Sequence, residues 1–129
     1  GQKTLENVTI GESIKNVINQ YGAPIYSYNP NSQEKYYEFH TDKGVLVVTA
    51  IGKKNTGYVT RVSMTYNQAN GPTYQQVKQG VGKQAIKRVQ YNSVSGNFGY
   101  IQNGKTSYQF GSSSPKDKVL RLYRIDINK

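Results

Sequence analysis

Apolar positions change their period several times along this 129-residue chain. Leu5 and Val8 stand three apart and predict one helical turn ending at Ile10-Gly11. Ser13 then stands as an N-cap before Ile14, Val17, Ile18 and Tyr21, which recur at helical spacing. Gly22 is the stop and Pro24 lies just beyond, so a helix of about two turns is predicted. Past that point the period shortens to two. Tyr36–Phe39 and Val45–Ile51 read as strands joined through the turn Asp42-Lys43-Gly44, with a polar turn over Gly52–Gly57. Val59, Arg61 and Ser63 alternate with Thr60, Val62, Met64 and Tyr66 over a third strand.

Asn67–Pro72 (NQANGP) reads as a linker. Thr73 opens the second half with a capping box, because Gln76 lies three residues on. Tyr74, Val77 and Val81 continue at helical spacing. Lys83–Gln90 predicts further helical turns around Ala85, Ile86 and Val89. Phe98–Ile101, Thr106–Phe110 and Val119–Ile127 are strand candidates, the first two joined by the hairpin signal Asn103-Gly104. Gly111–Lys118, with three serines and Pro115, reads as an exposed loop. On the last strand the odd-numbered set, Val119, Arg121, Tyr123, Ile125 and Ile127, is assigned to the core.

The two halves resemble each other. Leu5-x-x-Val8 aligns with Tyr74-x-x-Val77, Ile14-x-x-Val17 with Ile86-x-x-Val89, and Tyr37-Glu38-Phe39 with Tyr108-Gln109-Phe110. Asp42-Lys43 before Val45-Leu46 aligns with Asp117-Lys118-Val119-Leu120. The expected fold is therefore α+β, with two tandem repeats, each of short helices packed on an antiparallel sheet. Residues 1–70 form the first and 71–129 the second, together one compact unit. The alternative is one α+β domain with accidental internal similarity.

Val8-Thr9-Ile10-Gly11-Glu12-Ser13-x-x-x-Val17-x-x-x-Tyr21-Gly22-x-Pro24, followed by a Tyr-rich strand and Gly44-Val45-Leu46-Val47-Val48, resembles the beta-lactamase-inhibitor-protein-like fold. That fold is shared with small outer-membrane lipoproteins of the barrel-assembly machinery, and similar repeats occur in secreted and lipid-anchored proteins of Gram-positive bacteria. The match covers roughly residues 4–66. The second half departs from it: Lys83-Gln84 stands at the capping position and no Gly-x-Pro follows Val89. The resemblance implies tandem repeats whose sheets bind proteins on one side, an extracellular or cell-envelope location, and no catalytic activity.

Charge sharpens the contrast between the halves. Lys and Arg number 17 against 7 Asp and Glu, a net charge of +10. Residues 1–70 carry a net +2 and residues 71–129 a net +8. A basic half predicts attraction to anions such as nucleic acid, anionic wall polymers or an acidic protein face. Lys83, Lys87, Arg88, Arg121 and Arg124 are the candidate anion-binding residues.

Composition excludes most chemistry. With no Cys there is no disulfide framework, thiolate metal site or cysteine nucleophile, and one His cannot supply a two-imidazole site. HExxH, EF-hand and phosphate-loop patterns are absent, although Gly80-Val81-Gly82-Lys83 has a superficial likeness to the last of these. His40 is expected at a strand end or turn, without the motif of a serine hydrolase around it. Glu34 and Glu38 would lie roughly 13 Å apart along one strand face, too far for a retaining glycosidase pair. No apolar run is long enough to span a membrane. No basic-then-apolar segment opens the chain, and Gly1 reads as a mature or trimmed end.

Twelve of the fifteen aromatic residues are Tyr, more than a small core hides. Exposed Tyr with Arg and Asn favours protein interfaces, and also stacking on single-stranded nucleic acid. The expected function is a non-catalytic, secreted or cell-surface module, without cofactor or metal. It would bind a protein through a Tyr-rich sheet face that includes Tyr36, Tyr58, Tyr100 and Tyr123. The alternative is polyanion binding through the basic second half.

Overall fold

The computed structural model describes Gln2–Lys129; Gly1, read above as a trimmed end, lies outside the described residues. The chain divides into two compact units, Gln2–Met64 with Asp126–Lys129, and Thr65–Ile125.

The first unit opens with a small hairpin, β1 (Thr4–Leu5) and β2 (Val8–Thr9), not the expected helical turn. Glu6 and Asn7 form its two-residue loop with φ of 50° and 63°, the doubly positive geometry of the tightest hairpins. That register sets Leu5 opposite Val8, and both are buried. The predicted first helix is present as α1 (Ile14–Tyr21), with the Ser13 hydroxyl accepting the Lys15 N–H at 3.2 Å. It stops at Gly22, whose φ of 91° a side chain rarely tolerates. Ile14 and Val17 are buried.

β3 (Ile25–Tyr28), β4 (Glu34–Thr41), β5 (Gly44–Ile51) and β6 (Tyr58–Tyr66, to Met64 in this unit) lie side by side in chain order. The β4–β5 register pairs Tyr37 with Val48 and Phe39 with Leu46, so these four share a face and are buried. The Tyr21 ring of α1 meets Phe39 at 5.7 Å, which seats the helix on that face. The lead-in to α1 is stitched to the start of β6: Gly11 N–H donates to the Val59 carbonyl at 2.8 Å and Val59 N–H to the Glu12 carbonyl at 2.9 Å. Beside β6 runs the end of β10 (Arg121–Asn128). There the Asp126 carboxylate accepts from Ser63 Oγ and, at 3.2 Å, from Arg61 Nη2.

In the second unit Thr73 caps α2 (Tyr74–Gln79) through the predicted reciprocal box with Gln76. The sheet runs β10-β9-β8-β7, from β7 (Ile86–Gln90), β8 (Phe98–Asn103), β9 (Thr106–Gly111) and Arg121–Ile125 of β10. Tyr74 packs edge-on to Phe110 with ring centres 5.4 Å apart. Gly99 makes room for them. A Cβ there would stand 3.0 Å from the Tyr74 ring, 3.1 Å from Leu120 and 3.3 Å from Phe110.

Several expectations are corrected. Among the described residues the protein is mostly β, 47% strand against 11% helix, with ten strands and two short helices. It is not a pair of α+β repeats of short helices on a sheet. Lys83–Gln90 holds no helix; Ile86–Gln90 is strand β7. Ile14-x-x-Val17 and Ile86-x-x-Val89 therefore align a helix with a strand, and Leu5-x-x-Val8 and Tyr74-x-x-Val77 a hairpin with a helix. On the last strand the core is not the odd set. Val119 and Arg121 are exposed, Leu120 and Leu122 are buried, and Ile125, Asp126 and Ile127 are buried in succession. The β8–β9 loop is Gly104-Lys105, one residue later than expected, because Asn103 pairs with Thr106.

Candidate interaction site

Residues paired across an antiparallel ladder point to the same face. In the second unit that rule builds a row across three strands: Arg88 pairs with Tyr100, and Tyr100 with Gln109. From β10 the Tyr123 hydroxyl donates to Gln109 Oε1 at 3.0 Å and joins the row. Ile86, Gln90, Phe98 and Gln102 share this face by the same register. The Tyr100 hydroxyl donates to Gln102 Oε1 at 3.0 Å. Gly99, Ile101 and Phe110 point to the other side and are buried. The face away from the core is thus half-exposed, aromatic and rich in amides, with tyrosine rings held in place by their own hydroxyls. Burial raises the Tyr123 hydroxyl above its ordinary pKa, and nearby Arg124 opposes the shift, so it is a donor at neutral pH.

Three of the nine candidate residues, Arg88, Tyr100 and Tyr123, belong to this row. Arg121 is two positions from Tyr123 on β10 and alternates onto the same side, its guanidinium donating to the Gly71 carbonyl at 3.4 Å. Arg124 alternates to the opposite side. Lys83 precedes β7, and Lys87 points away from Arg88, with its ammonium on the Gly82 carbonyl at 3.3 Å. A helix would have stacked Lys83 on Lys87; the strand separates Lys87 and Arg88 onto two faces. β10 and β7 are three strands apart, roughly 14 Å at the usual strand spacing. The five cations therefore do not form one cluster.

Tyr36 and Tyr58 belong to the first unit. Tyr36 stands on the β4 face away from Tyr37 and Phe39, half-buried, with its hydroxyl on Glu34 Oε1 at 3.2 Å. Glu38 and His40 alternate onto that same face, 2.6 Å apart, His40 exposed and Glu38 half-buried. This face is acidic where the second unit's row carries Arg88. Tyr58 begins β6 and is 63% exposed.

Sequence reasoning missed Gln102 and Gln109. Their signal was the spacing Tyr100-x-Gln102 and Ser107-x-Gln109 on two strands joined by a tight hairpin. It missed one charge feature as well: no carboxylate side chain occurs between Asp42 and Asp117.

Among the described residues no group of three or more His, Cys, Asp and Glu residues is placed to hold a metal ion. A recess beside α2, lined by Tyr74, Tyr91 and Lys118, encloses about 180 Å³, below the ~300 Å³ of common ligand pockets. A more open one of about 450 Å³ beside α1 is lined by Lys15, Ile18, Asn19, Ala23, Pro24 and Asn55. Among the described residues no helix is long and apolar enough to cross a membrane.

The fold and this face define a mostly β protein that presents a tyrosine-and-amide sheet surface. The chain belongs to the SA0570-like family, whose model matches residues 1–128. No curated protein and no solved structure matches the chain.

Proposed function

We propose that this protein is a non-catalytic binding module that holds a protein partner on the tyrosine-bearing face of its second unit. The observation that carries the reading is the row Arg88–Tyr100–Gln109–Tyr123. Large, stiff rings supply contact area at low entropic cost, and amides and Arg supply polar anchors around them. Its resemblance to secreted and lipid-anchored proteins supports a place outside the cell or in its envelope. Pull-down from envelope or host fractions should retain a saturable protein partner. The double variant Tyr100→Ala/Tyr123→Ala should weaken that binding at least tenfold while its amide spectrum stays folded. Unchanged binding by the folded double variant overturns the assignment of this face.

The carboxylate-free stretch between Asp42 and Asp117 favours a second reading, binding of a polyanion. Phosphate contacts release counterions, so nucleic-acid affinity would fall steeply with salt. No binding at about 50 mM salt, or binding indifferent to salt, removes that reading.

A further inference from the structure

β7 is the last strand in the second unit's order β10-β9-β8-β7, and among the described residues no strand lies beyond it. Its pairing to β8 is unbroken from Ile86 with Gln102 to Gln90 with Phe98. It contains no Pro and no bulge, so every second residue turns its N–H and C=O outward with no ladder partner. Ile86 and Val89 are 46% and 39% exposed. Between them Lys87 and Arg88 point to opposite faces, which makes the edge basic on both sides. No carboxylate lies nearer in sequence than Asp117.

We propose that this edge accepts an added strand from an acidic partner, in an interaction that shares Arg88 with the tyrosine face but rests on the open backbone of β7 rather than on the rings. Cross-strand pairing sets the chemistry of that strand. Ile86 and Val89 call for apolar residues opposite them, and Lys87 and Arg88 call for carboxylates. The complementary segment reads apolar-acidic-acidic-apolar, the same in parallel or antiparallel orientation. A second copy of this chain does not fit, because a centred β7–β7 pairing sets Arg88 against Arg88 and like charges repel. The free edge of the first unit, β3, carries no charged residue and offers no such selection.

The probe is the capped peptide Thr-Val-Asp-Glu-Val-Thr, added to the full, isotope-labelled chain. Amide shifts should concentrate at Ile86–Gln90, with slowed hydrogen exchange at alternate residues of that strand. Lys87→Glu/Arg88→Glu, at one half-buried and one exposed position, should weaken binding at least tenfold while the amide spectrum stays folded. The same variant should gain binding of Thr-Val-Lys-Lys-Val-Thr. The double variant Tyr100→Ala/Tyr123→Ala should keep the β7 response, so failure of the tyrosine-face reading would leave this one standing. No shift at millimolar peptide overturns the proposal. So does a charge-dependent shift without slowed exchange, or equal protection of β7 by single-stranded DNA.

Discussion

At the scale of single residues, the strongest constraint lies at Asp126. Its carboxylate is buried in the first unit, where it accepts from Ser63 and Arg61. A buried charge persists only where such partners replace water. Asp126→Asn keeps the shape and removes the charge that strengthens both bonds. Hydrogen bonds to charged groups contribute about 1.5–3 kcal/mol each, so a loss of about 2 kcal/mol is expected. Urea unfolding should show it as a lower midpoint with unchanged slope. Gly99→Ala weighs two opposing effects. A methyl wedged among Tyr74, Leu120 and Phe110 costs about 1–3 kcal/mol, while the stiffer unfolded chain returns up to about 1 kcal/mol. Net destabilisation of about 1 kcal/mol is expected, and a gain in stability would show that the Tyr74 ring shifts freely.

At the scale of elements, the two helices test what local sequence dictates. Ser13 contributes a single cap bond at an exposed site, so Ser13→Ala should cost about 1 kcal/mol. Ile14, next along and fully buried, should cost about 2–5 kcal/mol as Ile14→Ala. Thermal melts of the two variants check that ordering, and a larger loss for Ser13→Ala would contradict it. Both helices were legible because caps, stops and apolar spacing agreed. The failures have physical causes. A two-residue hairpin separates its flanking pair by three positions, the spacing of a helical turn, so Leu5 and Val8 fitted both; the twist at Glu6 and Asn7 decided. Ile86 and Val89 also fit both periods. As an edge strand β7 is wet on both faces, and no apolar alternation marked it. The loop shift from Asn103-Gly104 to Gly104-Lys105 slides the β8–β9 register by two. It leaves Tyr100 on its face but changes its partner from Ser107 to Gln109, which is why the row was invisible. The last strand defeated alternation because Ile125, Asp126 and Ile127 are buried together, whereas alternation presumes one wet face.

At the scale of the whole molecule, abundant tyrosine and scarce carboxylate set the dependence on pH. The hydroxyls of Tyr21, Tyr26, Tyr74, Tyr108 and Tyr123 all ionise above the ordinary value of 10.0, chiefly because burial disfavours the phenolate. A group whose folded pKa is raised stabilises the fold fully below its unfolded value. That contribution disappears as pH rises through the folded value, because the unfolded chain loses the proton first. On the acid side Asp117 ionises below its ordinary 3.8, held by the Val119 N–H and then by the Ser113 hydroxyl. Its contribution is present above that value and is lost as pH falls through the depressed one. Stability should therefore fall beyond about pH 10. Loss of lysine charge above that pH relieves repulsion in a chain of +10 and acts in the opposite direction. Tyr74→Phe separates the two effects. It removes one buried hydroxyl without touching the lysines, so the loss in melting temperature between pH 9 and 11 should be smaller than in the parent chain. An equal loss in both would assign the alkaline limb to groups other than this tyrosine.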